Sequence, residues 1–363
     1  MSAADDKLRL NRLDGDTISA GCWSCPLLKQ CGGYTRRGGG WSCMDRCVGC
    51  DKSKCSVVCM KKPADFARAI LEVGGFHFRD IPSLLGSVAL MPRYAPVVQH
   101  PLDRIVPLEW AAIPLHVLMH FERQAYVPRG MTPESLRTVF GLAPSTKIIL
   151  VGTGKDRGIE TYWRMHRVGD VASALARLGI SVAIAPNYSM FLEDPRPQHM
   201  HNRKRSLLIA KSWSLAGLAV AICQQAVTRA DWEFHESFLR AHPEVSQVAL
   251  EFQTGLARPE RAEFAFENLA RIQDRLGRKL HLFAIGASRY RAVLPKRFDS
   301  FTILDSMPFM KAMKRRAAAT IGRRVAWERA LGEEVPNLVL HNVNRYMDWL
   351  GMAESTGPAT ARR

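Results

Sequence analysis

The chain lacks any apolar run of the roughly 18 to 20 residues that a membrane-spanning helix requires, and its opening stretch, MSAADDKLRLNRLDGD, is polar with both charge signs. The expectation is a soluble, cytoplasmic protein with no membrane partner, in the host cytoplasm if phage-encoded. Acidic residues are scarce: 34 Asp and Glu stand against 51 Lys and Arg, for a net charge of +17. That surplus exceeds what solubility requires and favours a polyanionic partner, nucleic acid first; a merely basic enzyme is the alternative. Cysteine is nearly missing from most of the chain, since eight of the nine lie between Cys22 and Cys59 and Cys223 stands alone. Such clustering reads as metal ligation before disulfides. Neither a sequence repeat nor a long low-complexity tract is present.

What is present is 363 residues at 47% hydrophobic, enough for a full-sized core. The texture divides into a flexible lead (1–20), a cysteine-rich module (21–62), a main domain (76–350) and a loose tail (351–363). In the main domain, TKIILVGTG (146–154), ISVAIAPNYS (180–189), LAVAICQ (218–224), QVALEFQTG (247–255), LHLFAIGAS (280–288) and FTILDS (301–306) read as strands, with IVPLEW (105–110) a weaker one. Helical spacing fills the intervals, as in IETYWRMHRVGDVASALARLG and PERAEFAFENLARIQDRLG, each closing near a glycine. FMKAMKRRAAATIGRRVAWERALG reads as a basic helix. Strand and helix alternating at roughly 30-residue intervals imply parallel βαβ units and a (β/α)8 TIM-type barrel, with an open sheet as the alternative.

Polar residues recur just past the strands: Lys155 and Asp156, Asn187, Gln224, Glu251 and Gln253, Ser288 and Arg289, and Asp305. In a parallel barrel these ends share one face, where active sites are built. GTGKDRGIE (152–160) follows a strand but lacks the Gly-x4-Gly-Lys-Ser/Thr phosphate loop. Lys155 and Asp156 are therefore read as residues of the mouth. Arg203, Lys204 and Arg205 read as phosphate contacts, and His199 and His201 as loop and surface residues rather than metal ligands. Cys223 reads as a small core residue.

Cys22, Cys25, Cys31, Cys43, Cys47, Cys50, Cys55 and Cys59 are candidate metal ligands. Eight thiols suit two tetrahedral zinc ions, or one with thiols to spare. The spacing Cys43-x3-Cys47-x2-Cys50 also matches that by which radical S-adenosylmethionine enzymes hold a 4Fe-4S cluster, so zinc and an iron–sulfur cluster both stand. Arg36, Arg37, Lys52, Lys54, Lys61 and Lys62, with Trp23, Tyr34 and Trp41, suit phosphate contact and base stacking; a solvated face is the plainer reading.

The last four strands, with Gln224, Gly286 and Asp305 at their ends, resemble the tRNA-guanine transglycosylase superfamily, nearest its DNA-modifying, DpdA-like branch, with the family's glycine-rich sixth strand end replaced here by Glu251 to Gly255. The resemblance covers roughly residues 145 to 310. It implies replacement of guanine in DNA, or tRNA, by a 7-deazaguanine base, with companion modification proteins as candidate partners. Asp305 would be the nucleophile of a covalent aspartyl intermediate. Gln224 and Asn187 would read the base, Asn187 standing where the family has aspartate, while Glu251 bonds the base or shuttles a proton. Gln253 and Gly286 would line its pocket, and Lys155 and Arg289 would hold phosphate. The family's zinc site follows its barrel, whereas here the cysteines precede it. PNYSMFLEDP also resembles uncharacterised phage and plasmid proteins.

Taken without the resemblance, Asp305 followed by Ser306 and Pro308 suits a helix cap equally well. Two other classes stand beside base exchange: a radical enzyme built on Cys43, Cys47 and Cys50, and a non-catalytic, zinc-stapled nucleic-acid-binding protein.

Overall fold

A computed structural model describes residues 22–33, 55, 57–86, 90–120, 125–126, 131–154, 156–166, 170–191, 194–321 and 324–351. Eight parallel strands form a nearly closed barrel: β1 Tyr94–Pro96, β2 Trp110–Pro114, β3 Lys147–Val151, β4 Val182–Ile184, β5 Val220–Cys223, β6 Gln247–Glu251, β7 His281–Ile285 and β8 Phe301–Asp305. Each strand from β2 to β8 pairs with the next, and β8 pairs with β1. The ring closes between β1 and β2 through the Val97–Ala112 bridge, where the Val98 N–H donates to the Ala112 carbonyl at 2.8 Å.

Side chains on a strand alternate between faces, so each strand feeds two cores. Ala95, Ala112, Ile149, Val151, Ile184, Ala221, Ala249, Phe283, Ile285 and Leu304 fill the barrel interior. Their neighbours Ile148, Leu150, Ile222, Val248, Leu282 and Ile303 pack outward against the helices. Burial on both faces explains the unbroken apolar runs by which six strands were legible. The expectation for IVPLEW was displaced: β2 begins at its last residue, Trp110, because Pro107 interrupts the earlier run and WAAIP enters the sheet instead.

The surrounding helices are α1 Pro63–Val73, α2 Pro133–Val139, α3 Asp156–Met165, α4 Val171–Ala176, α5 Arg196–Leu215, α6 Arg229–Ala241, α7 Pro259–Leu276, α8 Met307–Met313 and α9 Val335–Leu350. The segment read as one helical stretch over 159–179 thus holds two helices, α3 and α4. The expected basic helix after Phe309 is also corrected. Arg315, at φ 50°, ends the helical path, and Arg316–Ile321 (β9) pairs antiparallel with Arg324–Arg329 (β10). Asn342 of α9 holds this hairpin: its Oδ1 accepts from the Ala318 N–H at 2.6 Å, and its Nδ2 donates to the carbonyls of Arg316 and Pro308.

Among the described residues no helix is long and apolar enough to cross a membrane.

Candidate functional site

The carboxyl ends of the strands surround a cavity of about 680 Å³. Strand parity decides what enters it. The inward phase brings Val97, Pro114, Val151, Cys223, Glu251 and Ile285 to its floor and wall. Just beyond the strand ends, His116, Asp156, Asn187, Gln224 and Gln253 join the lining.

Gln224 is 3% exposed, and neither its amide nitrogen nor its amide oxygen has a hydrogen-bond partner. Such a group costs free energy unless something satisfies it. Asn187 accepts from Gln225 Nε2, which also donates to the Tyr188 carbonyl at 2.6 Å. Asp156 accepts from Ser189 Oγ at 2.6 Å, and Lys155 lies outside the described residues. Glu251 accepts from the Gln253 N–H at 2.5 Å and from Thr254 Oγ1 at 2.8 Å, which folds the loop after β6 across the mouth. Gly286, at φ +69°, lets that loop close: a Cβ there would stand 2.3 Å from Gln253 Cγ. Burial, with the charge of Glu251 added, pushes the Cys223 thiol well up, so it stays protonated in the wall.

Asp305 is placed differently. Leu304 points into the barrel, so Asp305 falls on the outward phase, and its neighbour Ser306 lines the cavity instead. Both carboxylate oxygens are engaged. Oδ2 accepts from Ser288 Oγ and from the Tyr346 hydroxyl at 3.0 Å, and Oδ1 accepts from the Met307 N–H at 2.8 Å. The last contact takes up the first N–H of α8 from outside the helix; the N-cap itself, Ser306, makes no side-chain cap bond. Burial and the Asp305 charge raise the Tyr346 phenol, which keeps it a donor.

The basic run on α5 is not a phosphate contact, which corrects the reading of Arg203, Lys204 and Arg205. All three are buried. Arg203 and Arg196 share Asp231, Lys204 meets Asp80, and Arg205 makes a bidentate pair with Glu160. Burial alone would raise the Asp231 carboxyl, but the two guanidiniums overcome it and hold it far below the usual range. His199 and His201 are likewise in the helix and buried rather than in a surface loop. Burial lowers each to about 4. Arg289 is exposed and donates to the Ala257 carbonyl at 2.9 Å.

Of the eight clustered cysteines, Cys43, Cys47 and Cys50 lie outside the described residues. Cys22 is buried, Cys25, Cys31, Cys55 and Cys59 are free thiols, and no group of three or more His, Cys, Asp or Glu suited to a metal ion is found among the described residues. Cys31 is buried in the outer core, and a Cβ on the next residue, Gly32, would fall 2.2 Å from Ala230 Cβ of α6. This part of the cysteine-rich segment therefore packs directly on the barrel's helices.

Sequence reasoning missed His116, Gln225, Trp232, Arg258 and Arg261 on the cavity wall. His116 and Gln225 carried a local signal, each lying two residues past a strand end, of β2 and β5; that of His116 was lost when β2 was placed early. The others come from loops and helices that fold back over the mouth. No protein-family model matches the chain, and no curated protein matches it either.

Proposed function

We propose that the strand-end cavity binds a purine-type base and that the protein exchanges it, replacing guanine in DNA with a 7-deazaguanine derivative; tRNA is the alternative acceptor. The observation that carries this reading is Gln224. Its buried amide offers one donor group and one acceptor with nothing bonded to either, and the edge of a heterocycle would complement both. The cavity volume suits a nucleoside, and a base inside a duplex must be flipped out to reach it.

Base exchange proceeds in two displacements. A carboxylate attacks C1′, the C1′–N9 bond breaks, and guanine leaves with that electron pair and takes up a proton. The incoming 7-deazaguanine then gives up a proton from its corresponding nitrogen, forms the new bond to C1′ and expels the carboxylate. We assign the attack to Glu251 in place of Asp305. Glu251 faces the cavity and need only release Thr254, whereas Asp305 would have to leave Ser288 and Tyr346 and turn inward. Zinc, with a 4Fe-4S cluster as its rival, belongs to the proposal, and Cys43, Cys47 and Cys50 together with the described cysteines would hold it as thiolate ligands. No step above passes through it.

The test is trapping of a covalent adduct with a guanine-containing oligonucleotide on a denaturing gel, with metal analysis of the same sample. The expected result is an adduct with the native protein and with Asp305→Asn, and none with Glu251→Gln. Loss in Asp305→Asn alone would return the nucleophile to Asp305. Absence of any adduct, with iron and sulfide in the sample, would overturn the reading.

A further inference from the structure

Two guanidiniums line the same cavity on the side of the loop after β6. Arg258 immediately precedes α7 and Arg261 is its third residue, so both leave one helix end. Arg258 is exposed and Arg261 half-buried, with its Nε buried and unbonded. No carboxylate among the described residues ion-pairs with either. Burial and the neighbouring charge of Arg258 both disfavour the Arg261 cation, and only Glu260 offsets them. This is the reverse of α5, where every buried guanidinium has its carboxylate.

The loop itself is held from below. Arg289 and the Tyr290 hydroxyl donate to the carbonyls of Ala257 and Leu256, at 2.9 and 3.1 Å. A Cβ at Gly255 would stand 3.8 Å from Arg261 Nη1, so the guanidinium lies over the loop. Two neighbouring cations at one wall of a cavity, with no carboxylate ion-paired to either among the described residues, are stabilised by an anion between them. The positive end of α7 adds to the same field.

We propose that Arg258 and Arg261 form a phosphate clamp, so that the cavity takes a nucleotide: the base at Gln224 and the adjoining phosphate at the two arginines. This rests on the base-binding reading for the base half alone. A free nucleotide and a nucleic-acid backbone both present such a phosphate, since the chemistry of recognition is shared, and the titration separates the two sources.

The experiment is calorimetric titration of the full chain with inorganic pyrophosphate, deoxyguanosine, dGMP and a short guanine-containing DNA strand. The native protein is expected to bind dGMP on the order of ten-fold more tightly than deoxyguanosine. That difference should vanish in Arg261→Gln and shrink in Arg258→Gln, which is on the surface and serves as the variant safe for folding. Gln224→Leu should weaken dGMP and deoxyguanosine by the same factor. A DNA strand that binds no more tightly than dGMP identifies the free nucleotide as the source of the phosphate; tighter binding identifies the backbone. Arginine-dependent binding of pyrophosphate with no binding of deoxyguanosine would retain the clamp and remove the base reading. Equal binding of dGMP and deoxyguanosine by the native protein, or a difference that survives in Arg261→Gln, overturns the clamp.

Discussion

Helix α5 and the cavity rim carry the same residue types to opposite ends. On α5, Arg196, Arg203, Lys204 and Arg205 are buried and each meets a carboxylate. At the rim, Arg258 and Arg261 have no such partner, and Gln224 is buried with both polar atoms unbonded. The comparison teaches that in this basic chain the location of a positive charge says little. Unbonded Nε atoms occur on the α5 arginines as well as on Arg261, so it is the presence or absence of a paired carboxylate within the fold that separates a structural cation from one that awaits a ligand.

The difference is broken most severely at Asp231. Its carboxylate takes both Arg196 and Arg203 and also the backbone N–H groups of Val227 and Thr228. Asp231→Ala leaves two buried guanidiniums without a counter-charge and is expected to cost about 3–5 kcal/mol, read as a fall in the urea midpoint. A variant as stable as the native protein would show that the seam on α5 is not structural.

The next largest effect comes from pH. Burial holds His199 and His235 at about 4 in the folded chain, against about 6.5 unfolded. The unfolded state therefore binds protons first. Stability from these groups is fully present above about pH 6.5 and is lost as pH falls toward 4. Asp231, also depressed, contributes stability above its unfolded value of about 3.9 and extends the loss below it. Urea midpoints that stay flat from pH 7 to 4 would contradict the burial assigned to the two histidines.

The smallest change in stability sharpens the contrast most. Gln224→Leu removes two unsatisfied polar atoms and keeps the bulk, so the melting temperature should hold or rise slightly, within about 0.5 kcal/mol. Binding of guanine should nevertheless fall about ten-fold or more, since an unpaired base edge costs roughly 1–3 kcal/mol. A loss of stability without loss of binding would make Gln224 a core residue.

Six of the eight strands were legible because each is an apolar run buried on both faces and bounded by polar residues. β1 lies between Pro92 and its own last residue, Pro96, and β2 carries no β-branched run, so neither stood out from the loops around it. The strand-end residues Asn187, Gln224, Glu251 and Gln253 were readable as mouth residues from position alone. Asp305 was equally readable as a strand end, yet a shift of one residue in strand phase sends its side chain to the other face of the sheet. The basic run on α5 misled for a related reason: residues 203–205 reveal their charge in the sequence, but Asp231 and Glu160, which neutralise two of them, lie 28 and 45 positions away.

Composition and periodicity thus specified an alternating α/β chain whose parallel strands carry polar groups at their ends, because those signals are local and repeat every two or 3.6 residues. Which carboxylate faces the cavity, which arginines are paired, and which amide is left unbonded depend on strand phase and on contacts between distant segments. Those features arise when the barrel closes and brings β6, β8, α5 and α7 to fixed positions around one mouth.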